Sequence, residues 1–179
     1  MSADEAQATW VMLVIAGHET TANLISLAVL ALLDHPDVFT RARSDPTLIA
    51  RVVDECLRYD SPVPFMPRVA REDVHLSGTT VERGQIAIAL IAAANRDPDV
   101  FPDPDRLDLE RAHTQPHFGF GYGIHFCVGS VLAKLESEVA LSALLPRLAP
   151  SQDRRAITRL PHIAVRGLAS FPIQLTPSP

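Results

Sequence analysis

Residues 118–130 read FGFGYGIHFCVGS. One of only two cysteines in the chain, Cys127, stands there among glycines, aromatics and His125. A buried filler, a metal thiolate and a nucleophile all fit a cysteine so placed. Downstream, Val128, Leu132, Leu135, Val139 and Ala143 fall on one helical stripe, widened by Val131, which predicts a helix to about Leu145. Cys127 therefore lies just before a helix, where free N–H groups and the positive helix end favour a thiolate. Gly121, Gly123 and Gly129 remove side chains around it. Glycines at that density let a large flat ligand approach the backbone, or permit positive φ. Inert packing is the plainer alternative for a lone cysteine.

The bulk numbers narrow the classes. The 179 residues suffice for one ordinary domain with a core, and 47% apolar against 21% charged residues reads as globular. The net charge is −5 and no Lys/Arg block stands out, so nucleic acid is not an expected partner. Two cysteines cannot form a disulfide framework, which predicts a reducing, cytoplasmic setting. The opening MSADEAQAT has neither the basic nor the apolar region of a signal peptide. Trp10 to Leu33 is long enough for a bilayer, but His18, Glu19, Thr20, Thr21 and Asn23 sit at its middle. A long helix over residues 5–33, buried inside protein and not in a membrane, is the expectation.

Further along, Asp45-Pro46 predicts a helix start, and the helix runs to about Tyr59. SPVPFMP stops it. Val74 to Val81 reads as a hairpin turning at Gly78, and Ile86, Ile88 and Leu90 as one face of a strand. Asn95 to Gln115 is a long irregular segment rich in Asp, Pro and Arg, and such a loop inside a domain is usually functional. Short strands are expected near Ile163–Val165 and Ile173–Leu175.

Two more motifs carry polar groups. AGHETT, Ala16 to Thr21, lies halfway along the long helix. A zinc-protease reading needs a second histidine at position 22, where the chain has Ala22. A polar kink or helix crossing stays open. Glu55 and Arg58 are three apart on one helix face, which alone could be a surface ion pair. At Cys127, zinc would want four ligands, and no second cysteine-rich knuckle is present. A cysteine protease stays possible there, though no local signature marks its partners.

Phe120, Gly121, Gly123, His125, Cys127 and Gly129 fill a spacing that resembles the cysteine-ligand loop of the cytochromes P450. AGHETT, Glu55-x-x-Arg58 and NRDPDVF follow the same order as in bacterial, soluble members of that family. The resemblance implies haem b, with Cys127 as axial thiolate and metal ligand, and Phe120 and Gly129 lining the cofactor. It implies that Arg68 and His125 contact the haem propionates, as a guanidinium suits a carboxylate. It implies that Gly17 leaves room for dioxygen while Glu19 and Thr20 relay protons. It implies a buried structural triad of Glu55, Arg58 and an arginine from the irregular segment, assigned to Arg106.

The implied fold is mainly α with small β-sheets. The resemblance implies that residues 1–179 form a single C-terminal portion of the P450 fold, with the N-terminal half absent. The near all-round apolar LISLAVLALL, residues 24–33, is then expected to lack neighbours. The implied function is monooxygenation of a small organic substrate, with electrons from a ferredoxin or flavodoxin-type donor. The alternatives are a haem-binding half that needs a separate N-terminal half, or an inactive interaction or relic product.

Overall fold

The computed structural model describes residues 1–111, 116–149 and 154–176. Helix α1 spans Ala3–Asp34. It begins at a reciprocal cap: the Ser2 hydroxyl accepts from the Glu5 N–H at 3.2 Å, and the Glu5 carboxylate accepts from the Ser2 N–H at 2.7 Å. After α2 (Pro36–Ser44), Asp45 accepts from both the N–H and the hydroxyl of Thr47 and starts a 3₁₀ turn that feeds α3 (Ile49–Tyr59). A short α4 (Ile91–Ala94) precedes the irregular segment, and α5 (Ser130–Leu144) follows the cysteine.

The strands are short and paired in twos. β1 (Met66–Val69) pairs antiparallel with β4 (Ile86–Ala89), placing Arg68 opposite Ala87. β2 (Val74–Leu76) and β3 (Thr79–Val81) form the expected hairpin, turning through Ser77 and Gly78, both at positive φ. β5 (Thr158–Arg159) pairs with β6 (Leu168–Ser170). The expected strand at Ile163–Val165 does not form. There the His162 ring accepts from the Ala164 and Val165 N–H groups, curling the chain away from any ladder. Of Ile173–Leu175, only Leu175 makes a bridge, to Leu148. Residues 95–111 are irregular as expected, and 112–115 lie outside the described residues.

The core joins α1, α3 and α5. Leu24, Ala28 and Leu32 pack in one cluster with Val52, Val53 and Leu141. This reverses the expectation for LISLAVLALL, which is the best-buried part of α1. The bare part is its first half, where Trp10 through Ile15 are all exposed. By length and composition α1 could cross a membrane, but its second half is packed inside protein. The α5 stripe is equally bare: Val128 is 88% exposed, Val131 80% and Val139 62%, and the helix instead buries Ser130, Ser137 and Leu141. The chain exposes 11484 Å² where a compact monomer of its 19.5 kDa mass exposes about 8,500 Å².

Candidate functional site

The centre of the site is a buried charge network on α3. Arg58 grips Glu55 with two bonds of 2.9 Å, and both side chains are only 1% exposed. The remaining Arg58 donors reach the carbonyls of Asn95 (2.9 Å), Pro104 (2.8 Å) and Arg106 (3.1 Å). The third member is Arg111, whose Nε lies 3.2 Å from Glu55. Arg111 also donates to the carbonyls of Pro102, Asp103 and Arg106. The assignment to Arg106 is thereby corrected: its side chain is exposed, and it contributes only its carbonyl. Backbone parity explains the difference. Leu107, Leu109 and Arg111 point inward on alternate residues, and Arg106 falls on the outward set. A buried pair stripped of one partner is costly, so carbonyls from one segment fill every spare donor of Arg58.

That network reaches the cysteine loop through Asn95, whose Oδ1 accepts the Phe118 N–H at 2.7 Å. The loop then folds back on itself. Gly121 and Gly123 take positive φ, and the Phe120 carbonyl accepts the Cys127 N–H at 3.0 Å. Gly129 differs. Its φ is −86°, and an added Cβ would make an ordinary 3.9 Å contact with the Cys127 sulfur. It caps α5 without needing glycine's conformational freedom. Cys127 is half-buried at the start of α5, while Tyr122, Ile124 and Phe126 around it are exposed. Cys56 is fully buried. Burial first, then the Glu55 charge, pushes its thiol far up, so it packs and does not react.

A second tether joins α3, α5 and the loop. Asp54 Oδ1 lies 2.6 Å from Lys134 Nζ and 3.6 Å from His117 Nε2. The first contact is close but poorly directed and the second is long, so that buried oxygen receives no well-aligned hydrogen bond. Burial acts to raise the Asp54 carboxyl, yet His117 and Lys134 outweigh it and hold the group down at about 2. Lys134 also sits 5.8 Å from the Phe120 ring centroid.

The remaining residues singled out by sequence are not drawn together by bonds among the described residues. Arg68 is exposed on β1, donates to its neighbour Pro67, and has no carboxylate partner. His125 is exposed in a 3₁₀ turn with no bond to its ring. Glu19 is exposed, and a Cβ added at Gly17 would meet nothing within 4 Å. The half-buried Thr20 hydroxyl donates to the Ala16 carbonyl at 2.6 Å. Asn95, Asp54, Lys134 and Arg111 went unrecognised in the sequence. Only Arg111 had a readable signal, the alternation of RLDLER.

The family model for cytochrome P450 matches residues 43–162. The chain belongs to the cytochrome P450 family. It is 47% identical over 148 residues to the "Biotin biosynthesis cytochrome P450" of Bacillus subtilis (strain 168), covering 83% of this chain and 37% of that P450. It is 45% identical over 181 residues to the "Vitamin D(3) 25-hydroxylase" of Pseudonocardia autotrophica, covering 99% of this chain and 45% of the relative. The crystal structure of P450BioI in complex with hexadec-9Z-enoic acid ligated acyl carrier protein superposes with a TM-score of 0.91 at 42% identity, covering 98% of this chain and 46% of that one. The chain thus spans less than half the length of these P450 relatives, and its helix-rich architecture is that of part of a P450 fold.

The P450 family carries an iron-bound haem with a thiolate ligand. The residues here fit such a group: one half-buried thiol before a helix, an exposed Arg68 guanidinium without a carboxylate partner among the described residues, and an open apolar rim at Ile124 and Phe126. Among the described residues no three His, Cys, Asp or Glu side chains converge, so Cys127 is a solitary metal-ligand candidate.

Proposed function

We propose that this chain carries the haem-thiolate side of a cytochrome P450 monooxygenase, with haem b held on Cys127. The observation that carries this reading is the pinned loop: the Cys127 amide is held at 3.0 Å from Phe120 O while the sulfur stays half-buried before α5. Bound haem would supply the activation of dioxygen. Cys127 would ligate iron and push electron density onto it. Arg68 and His125 would bind the two propionates, Arg68 bidentately, and Phe120 and Gly129 would line the thiolate side. At Thr20 the hydroxyl proton is committed to Ala16 O, so its oxygen lone pairs are free to accept and align a proton donor. Glu19, exposed on the same turn, would exchange protons with solvent, and Gly17 would leave room beside them. A small organic substrate, of the kind that the relative named as a vitamin D(3) 25-hydroxylase suggests, a ferredoxin or flavodoxin-type electron donor and a cytoplasmic location complete the proposal.

A second reading is favoured by the bare faces of α1 and α5. The haem-thiolate side would work only with further polypeptide covering Trp10–Ile15 and the α5 stripe, in the same chain or encoded separately. A protein without that cover would keep the motifs and lose the activity. The reading frame upstream of Met1 tells these arrangements apart.

Haem titration followed by reduction under carbon monoxide tests the assignment. The parent should give a thiolate-type carbonyl spectrum, and Cys127→Ser should abolish it. A spectrum unchanged in that variant would sink the ligand assignment.

A further inference from the structure

Asn95 is fully buried and pairs all four of its polar atoms. Its N–H donates to Ile91 O at 2.9 Å, and its carbonyl accepts from Arg58 at 2.9 Å. Its Oδ1 accepts the Phe118 N–H at 2.7 Å, and its Nδ2 donates to Ser61 Oγ at 3.1 Å. The amide orientation follows from chemistry. Ser61 has already committed its proton to the Leu57 carbonyl at 2.5 Å, so its oxygen can only accept, and the Phe118 N–H can only donate. Among the described residues, Asn95 is the one side chain from outside residues 116–130 that hydrogen-bonds the loop backbone.

From there the loop is self-bonded. Phe118 O accepts from the Gly121 N–H at 2.8 Å, and Phe120 O accepts from the Cys127 N–H at 3.0 Å. A shift at Phe118 therefore moves both the turn and the carbonyl that holds the cysteine amide. We propose that Asn95 is a positioning residue for Cys127, fixing where the cysteine loop departs from the Glu55–Arg58 scaffold and hence where the thiolate is presented. The role of that thiolate rests on the haem assignment above; the tether itself does not. Asparagine suits the place because it joins an acceptor to a donor on one short, buried arm. An aliphatic side chain would orphan the Phe118 N–H and the Ser61 oxygen together.

The test compares Asn95→Ala with Asn95→Asp, which keeps an acceptor for Phe118. In the haem-free chain, hydrogen exchange at Phe118 and Cys127 should rise about tenfold or more in Asn95→Ala, with the α3 amides changing less than about twofold. Asn95→Asp should return Phe118 to within about threefold of the parent. A uniform rise across α3 and α5, or none at Phe118, overturns the proposal. Should Asn95→Ala not fold, Ser61→Ala removes the acceptor that orients the amide, together with the hydroxyl's bond to the Leu57 carbonyl, and leaves the Asn95–Phe118 pair in place. It should raise Phe118 exchange about threefold, and no rise counts against the tether. With haem loaded, the share of thiolate-type carbonyl complex should fall at least about twofold in Asn95→Ala and recover in Asn95→Asp. An unchanged share overturns the positioning role while leaving the haem assignment standing. A parent without thiolate signal defeats the haem assignment, and exchange at Phe118 then decides the tether alone.

Discussion

The scaffold behind the cysteine and the surface in front of it are built to different degrees of completeness. Behind it, Glu55, Arg58, Arg111 and Asn95 are buried and richly bonded, and every carbonyl they grip comes from residues 91–111 or from α3 itself. In front, Glu19, Arg68, His125, Ile124 and Val131 stand in solvent. The first region satisfies itself from local sequence. The second is made of groups whose partners are not among the described residues. A P450 chain of this length can thus fix its cysteine loop while leaving the facing groups open.

The largest effect that would break this comparison is removal of a buried charge. Arg111→Ala leaves Glu55 with one guanidinium, strips the Pro102 carbonyl of its donor and takes one of two from the Asp103 and Arg106 carbonyls, at a cost of about 3 kcal/mol. Arg106→Ala trims an exposed side chain and should stay within about 0.5 kcal/mol. Denaturant melts of the two variants measure the difference. Equal midpoints would return the triad to Arg106 or dissolve it.

That pair of arginines also shows what was legible in the sequence. The motif Glu55-x-x-Arg58 identified the partners on α3, because i and i+3 share a helix face. The arginine crossing from the irregular segment needed backbone parity, which no helical period supplies there. The long helix is legible as one element, but which end of it is buried is not. Apolarity along LISLAVLALL said that neighbours were required, but not that α3 and α5 would meet that end and leave WVMLVI bare. The α5 stripe teaches the same lesson, since its periodic face stays exposed among the described residues. Asn95 opens the NRDPDVF stretch, but nothing in that stretch marks its side chain as buried. A buried asparagine is recognised only when its four bonds are in view.

A smaller effect should come from the tether that lies between the two regions. Asp54 has a folded value of about 2 against an ordinary 3.8, set by His117 and Lys134 against the opposing pull of burial. A depressed carboxyl stabilises above its unfolded value, and that stabilisation disappears as pH falls through the folded one. The window is therefore about pH 4 down to about 2. With the Asp54 side chain 33% exposed and Lys134 38%, solvent screening leaves the contribution on the order of 1 kcal/mol. Lys134→Met should flatten the acid limb of the stability profile by that amount. Equal acid slopes in parent and variant would show that the contact is geometric only.

The smallest effect on this chain, and the one that most sharpens the contrast, lies on the α5 stripe. Val131 and Leu135 are 80% and 55% exposed, so Val131→Gln removes little burial and Leu135→Gln only that of a part-covered side chain. Each should move the melting free energy by less than about 0.5 kcal/mol. The same changes should reduce self-association in sedimentation, because they break up an apolar strip. In a protein where further P450 polypeptide covers α5, each residue would be buried and the loss would rise to about 1.5–3 kcal/mol. The sign of the comparison then decides the matter. A large loss in the chain alone would mean that α5 already has a partner on that face, such as a second copy, and that the two regions differ less in completeness than their exposure indicates.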